Sequence, residues 1–102
     1  MEREKVLNQQ NDLIRNIERE VENARINYLN ARRSLEGQKE NLELAERIYN
    51  TTQIKYREGV GSSLEVNQAE QSLYDTQRNY IQTLFDLVTA RYELREALGY
   101  PN

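Results

Sequence analysis

Cysteine, histidine and tryptophan are absent from the 102 residues, and proline and phenylalanine occur once each. Without Cys or His, thiol chemistry, imidazole catalysis and soft-metal sites are excluded within the chain, and no cofactor is expected. The lack of Cys is compatible with any compartment. No apolar run approaches the roughly 20 residues that cross a bilayer as a helix. Met1 is followed by charged residues rather than the apolar core of a signal peptide, so an exported parent would make this chain an internal piece with a start Met. An excess of positive charge is also missing. The net charge of −3 and pI of about 5.1 argue against nucleic acid as a partner, because phosphate binding needs a basic face. Hydrophobic residues make up only 37% and charged residues 30%. Such a chain cannot wrap a thick core, but it can fill a narrow seam between long helices.

Glycine is scarce too, and only Gly59 and Gly61 fall together. Around them, Tyr56-Arg57-Glu58-Gly59-Val60-Gly61-Ser62-Ser63-Leu64-Glu65 reads as a stop followed at once by a start. Gly59 fits the left-handed position just past a helix end, with Val60 next and able to touch Ile54. Ser62 and Glu65 have capping-box spacing. A break this short folds two helices back on each other. The expected chain is one domain: a helix over 2–58, a turn at 59–62 and a helix over 63–98. Gly99 and Pro101 supply the final stop.

A heptad seam runs along both helices without a slip. In the first it passes through Leu7, Gln10, Ile14, Ile17 and Val21, then Ala24, Tyr28, Ala31, Leu35 and Gln38, then Leu42, Ala45, Tyr49, Thr52 and Tyr56. In the second it is Val66, Ala69, Leu73, Thr76, Tyr80, Thr83, Leu87, Ala90, Leu94 and Ala97. Folding at the turn sets Tyr49 against Leu73, Leu42 against Tyr80, Leu35 against Leu87 and Tyr28 against Leu94. The small layers agree as well, with Ala31 against Ala90 and Ala24 against Ala97. Large and small layers alternate in register, which the heptad alone does not require. The fold expected is therefore all-α: a long antiparallel two-helix coiled-coil hairpin with unequal arms. Gln38 against Thr83 is either a register-fixing polar layer or two residues that reach the seam edge. Gly37 lies off the seam, at a cost of roughly 1 kcal/mol relative to Ala. Glu43 and Arg47 have the spacing of an i,i+4 ion pair.

Two features are left over. The second helix ends opposite about residue 23, so Leu7, Ile14, Ile17 and Val21 lack partners along roughly 30 Å of helix. A further apolar stripe on the second helix, Tyr74, Ile81, Leu84, Phe85 and Val88, bordered by Tyr92 and Leu98, lies off the seam. Exposed apolar surface of that extent marks an interface, here with another helical element or a second copy.

The residues Tyr56, Gly59, Ser62, Leu64, Glu65, Val66, Ala69, Leu73, Gln77, Tyr80, Ala90, Leu94, Ala97, Leu98 and Gly99 resemble the TolC-like outer-membrane efflux proteins. The run Asn41-Leu42-Glu43-Leu44-Ala45-Glu46 is also similar to that family's long helix. Asn67 stands where the family often has Leu. Gly61 stands where a larger residue is common, which predicts a looser turn. The resemblance covers essentially the whole chain. It implies one hairpin of a periplasmic helical tunnel, without the family's barrel strands or second internal repeat. It further implies a homotrimeric parent channel, a periplasmic adaptor (membrane fusion) protein that meets the hairpin tips, and an inner-membrane transporter as an indirect partner. By position, Gly59, Val60, Gly61 and Ser62 are the docking tip.

No catalysis is expected, since the carboxylates are strewn over a mixed-sign surface with no cleft to set an acid apart from a base. The function expected is a passive wall and docking hairpin of an efflux channel. The alternative is a coiled-coil oligomerisation module without a transport role. An RNA-binding helical arm is disfavoured by the acidic pI.

Overall fold

The computed structural model describes residues 2–99. Met1 and residues 100–102 lie outside them, and Pro101 with them. Two helices account for the described chain, α1 over Glu2–Arg57 and α2 over Ser63–Leu98. The molecule measures 86 × 23 × 14 Å. Its length is that of α1 alone, whose 56 residues rise about 1.5 Å each. The radius of gyration is 23.5 Å, against about 13 Å for a compact chain of this size.

The helix α1 stops one residue earlier than its pattern suggests. Glu58 N–H still donates to the Ile54 carbonyl at 3.0 Å, but Gly59 then turns left-handed with φ of 79°. Gly59 N–H donates to Tyr56 O at 3.1 Å and Val60 N–H to Lys55 O at 3.0 Å. These two bonds make the Schellman motif, which satisfies carbonyls that a helix end otherwise leaves free. Gly61 N–H adds a second bond to Lys55 O at 3.1 Å. The turn is therefore tight at Gly61 rather than loose. A Cβ there would stand 3.1 Å from Lys55 Cβ and 3.3 Å from Tyr56 N, so a larger residue would require the end of α1 to give by a few tenths of an ångström. At Gly59 a Cβ would meet nothing within 4 Å, so the requirement there is the backbone angle alone. Gly59→Ala is expected to destabilise the hairpin by roughly 1 kcal/mol through strain at positive φ. A melting temperature equal to that of the wild type would refute this account of the turn.

Ser62 caps α2 from an extended conformation, its Oγ accepting from Glu65 N–H at 3.2 Å. The reciprocal bond from Ser62 N–H to the Glu65 carboxylate is not among those of the described residues, so half of the expected box is closed. At the far end Gly99 caps α2 with φ of 79°, its N–H reaching Arg95 O and Glu96 O.

Burial follows the seam closely. From Val21 to Thr52 every expected seam residue of α1 is buried or half-buried, and so is every one of α2 from Val66 to Ala97. Off the seam, among the described residues, only Gln53, Gly61 and Glu70 share that status. Val21 thus belongs to the paired region, whereas Leu7, Ile14 and Ile17 are exposed as expected. Tyr56 does not enter the seam; it is 52% exposed, because no further layer lies beyond it at the turn. Among the described residues the buried hydrophobic ones are four alanines, Ala24, Ala45, Ala69 and Ala90, and no large side chain is fully buried. Alanine layers let two helix backbones approach, while each larger side chain stays wet on its outer flank.

The threonine hydroxyls on the seam bond within their own helices. Thr83 Oγ1 donates to Asn79 O at 2.7 Å and Thr76 Oγ1 to Ser72 O at 2.8 Å. Thr83 therefore does not spend its proton on Gln38, and the pair sits at the seam edge without a hydrogen bond that locks register. Tyr49 Oη accepts from Gln53 Nε2 at 2.8 Å, which supplies the partner a half-buried phenol needs. The Arg32 guanidinium lies 5.9 Å from the Tyr28 ring centroid, one helical turn on.

Candidate functional site

The tip is built from both helix ends. Gly59, Val60, Gly61 and Ser62 are contiguous there, but they differ in what they offer. Gly61 is half-buried against the end of α1, and the Ser62 hydroxyl is taken by the Glu65 N–H. Val60 stands at the apex, 75% exposed. Ile54, Tyr56 and Leu64 are exposed around it. A firmly hydrogen-bonded turn thus carries a small apolar crown, with Lys55, Arg57 and Glu58 beside it.

Two shallow hollows flank this crown. One is lined by Gln53, Tyr56, Arg57 and Val66 and sits between the helices. The other lies on α1 and is lined by Leu44, Arg47, Ile48, Thr51, Thr52 and Lys55. The contributions of Leu44 and Ile48 are not marked by the turn motif. Their signal is spacing: Leu44 and Ile48 are four residues apart and off the seam, hence side by side on an outer face.

The stripe on α2 is as exposed as its periodicity predicts. Tyr74, Ile81, Leu84, Phe85 and Val88 range from 41% to 66% exposed, and Tyr92 and Leu98 extend the patch. The total accessible surface of 8484 Å² exceeds the roughly 6000 Å² of a compact monomer of this mass. Charges do little to hold the surface together. Arg78 and Asp75 pair at 3.9 Å in full view of solvent, a contact of small worth, and the Glu43–Arg47 pair is not closed among the described residues. No helix among the described residues is long and apolar enough to cross a membrane.

The seam of the hairpin and its turn contain most of the residues that carry the resemblance to efflux proteins. Residues 2–100 match the family model described as Outer membrane efflux protein. The chain belongs to that family. No curated protein and no solved structure matches it significantly. Membership in the outer membrane efflux protein family makes the hairpin a channel component.

Proposed function

We propose that this efflux-family hairpin forms part of the periplasmic wall of the tunnel and offers its tip to a periplasmic adaptor protein. The inner-membrane transporter would be an indirect partner, and the parent channel a homotrimer. The observation that carries the reading is the tip itself. Its backbone is tied by the Schellman bonds and the Ser62 cap, yet Val60 is left 75% exposed at the apex. A turn that only joined two helices would gain nothing from an apolar apex in water. A partner's side chains can approach Gly59 closely, since no Cβ stands there. The mechanism is conformational, with hairpins sliding or splaying at the tip and no covalent step. The apolar stripe of α2 serves as an interface within the wall.

Binding of the chain to a periplasmic adaptor hairpin tests this, beside Gly59→Trp and Val60→Asp variants of matched helicity. Each variant is expected to weaken binding at least tenfold. Equal binding by all three would move the contact away from the turn. No binding by any would mean that this hairpin alone lacks the docking site. The other reading, a coiled-coil oligomerisation module, is favoured only if tip variants leave every interaction intact while changes in the α2 stripe abolish self-association.

A further inference from the structure

One pairing along the edge of the seam is not explained by the fold. Gln53 and Glu70 are half-buried although both lie off the seam, which marks an edge where the two helices meet. Steps of seven from that pair set Glu46 beside Gln77, Lys39 beside Leu84, Arg32 beside Arg91 and Arg25 beside Leu98. Of these, only Arg32 and Arg91 set like charges against each other. On the opposite edge the one pair of facing charges, Lys55 and Glu65, is opposite in sign. Arg95 lies one turn beyond Arg91 on the same flank of α2. Neither Arg91 nor Arg95 has an Asp or Glu three or four residues away, the spacing at which a helix neutralises its own charges. Over the levels of residues 22–39 this broad face carries Arg25, Arg32, Lys39, Arg91 and Arg95 against the carboxylates Glu22 and Glu36, in a chain whose net charge is −3. Among the described residues none of these cations is in an ion pair.

We propose that Arg32, Arg91 and Arg95 form a binding site for a small anion carrying two or more phosphate or carboxylate groups. Convergence is the first argument. The Arg32 guanidinium lies 5.9 Å from the centroid of the Tyr28 ring, so it is drawn one turn towards the open end of the hairpin. Tyr28 pairs across the seam with Leu94, which lies between Arg91 and Arg95 in sequence. Arg91 and Arg95 are about 6 Å apart along the axis, and packed helices lie roughly 8–10 Å apart. Arginine side chains are long enough to bring three guanidiniums around one point in that space. A hollow on α2 between Val88, Arg91, Tyr92 and Arg95 gives a ligand a place to sit. Chemistry is the second argument. Guanidinium forks bind phosphate and carboxylate oxygens two at a time, which lysine cannot do. All three cations are exposed, so a single charge on a ligand gains little against water and salt. Two charged groups held together can engage both helices at once. Size is the third argument. Glu22 and Glu36 stand at the two ends of the patch on α1, and they oppose a long anionic polymer running along the hairpin. The site therefore fits an anion of about the length of diphosphate. Without an anion, Arg32 and Arg91 only repel each other.

Titration of the whole chain with pyrophosphate at constant ionic strength tests the site, with orthophosphate and citrate as companion ligands. Pyrophosphate is expected to saturate, to bind more tightly than orthophosphate, and to shift amide resonances around residues 25–32 and 88–95. It is also expected to raise the melting temperature, because the unfolded chain does not hold the three arginines together. Citrate binding with the same shifts, alone or beside pyrophosphate, supports the site and extends its ligands to carboxylates. Arg32→Gln and Arg91→Gln are each expected to weaken binding about tenfold, the worth of one charge-assisted hydrogen bond. Arg47→Gln makes the same change of charge on the order of 20 Å along α1 from Arg32 and is expected to bind like the wild type. With no anion present, Arg91→Gln is expected to melt no lower than the wild type, since it removes a like-charged neighbour of Arg32. A lower melting temperature would assign Arg91 to the fold and overturn the proposal. So would Arg47→Gln weakening binding as much as Arg91→Gln, which would leave net charge as the whole effect. Absence of shifts with both pyrophosphate and citrate at millimolar concentration would overturn it as well. None of these readouts involves the tip or an adaptor, so the proposed function stands or falls separately.

Discussion

Ala90→Leu is expected to destabilise the hairpin by about 1–3 kcal/mol, the range for forcing extra methylenes into a packed site. Leu87→Ala, three residues away on the same seam, is expected to cost less than the usual 2–5 kcal/mol for truncating a buried leucine. In a thick core the order is commonly the reverse. Here the buried residues are the alanines, and Leu87 is only half-buried. Truncating Leu87 removes contacts on one flank and lets water into a place it already borders. Enlarging Ala90 pushes apart two backbones whose approach the alanine layers set, and the strain is shared with neighbouring layers. Leu35→Ala, across the seam, should behave like Leu87→Ala. Thermal or urea melts of the three variants at low concentration decide the matter. A loss above 5 kcal/mol for either leucine would mean that the seam is enclosed on its outer side, hence that the species melting is a stable oligomer.

Seam and turn were legible in the sequence because both rest on local rules. A heptad sustained through ten positions of α2 fixes which residues turn inward. The alternation of Leu and Tyr layers with Ala and Thr layers then fixes the register to within a heptad, and the short turn selects one alignment. The two ends of the seam were less legible. Tyr56 has the right spacing and the wrong place, since periodicity carries no information on where the paired region stops. Val21 is half-buried although it lies just beyond the expected end of α2. The Gly61 crossing is also invisible to pattern. Its tightness comes from the approach of Lys55 and Tyr56, which only the folded turn creates. Of the candidate surface, the glycines and Val60 were marked by the turn motif and the α2 stripe by its period. Leu44 and Ile48 lie outside the turn motif, and the face they share emerges only once the seam has been assigned and the remaining faces can be told apart.

Amides of residues 2–20 are expected to exchange with solvent orders of magnitude faster than those of residues 24–52, although α1 is one continuous helix in the structure. The two stretches have similar composition but different support. From Ala24 onward the inner face of α1 is covered by α2, and opening a backbone hydrogen bond there requires parting the seam. Before Val21 every described residue is exposed, Leu7, Leu13, Ile14 and Ile17 included. A helix without packing is marginal in water at about 12–15 residues, and opening free energies near zero are usual for segments that bury little. Glu2 and Glu4 in the first turn favour the helix through its dipole, but by only a few tenths of a kcal/mol to about 1 kcal/mol at an exposed end. The expected profile is thus a step in protection near Val21, measured on the chain at low concentration. If residues 2–20 were as protected as the seam, their apolar side chains would have a cover that one hairpin does not provide. A further rise in protection over 2–20 with concentration would identify that cover as another copy and extend self-association to the overhang. Protection independent of concentration would mean that the overhang folds back on its own hairpin, and the unequal arms would then not describe the chain in solution.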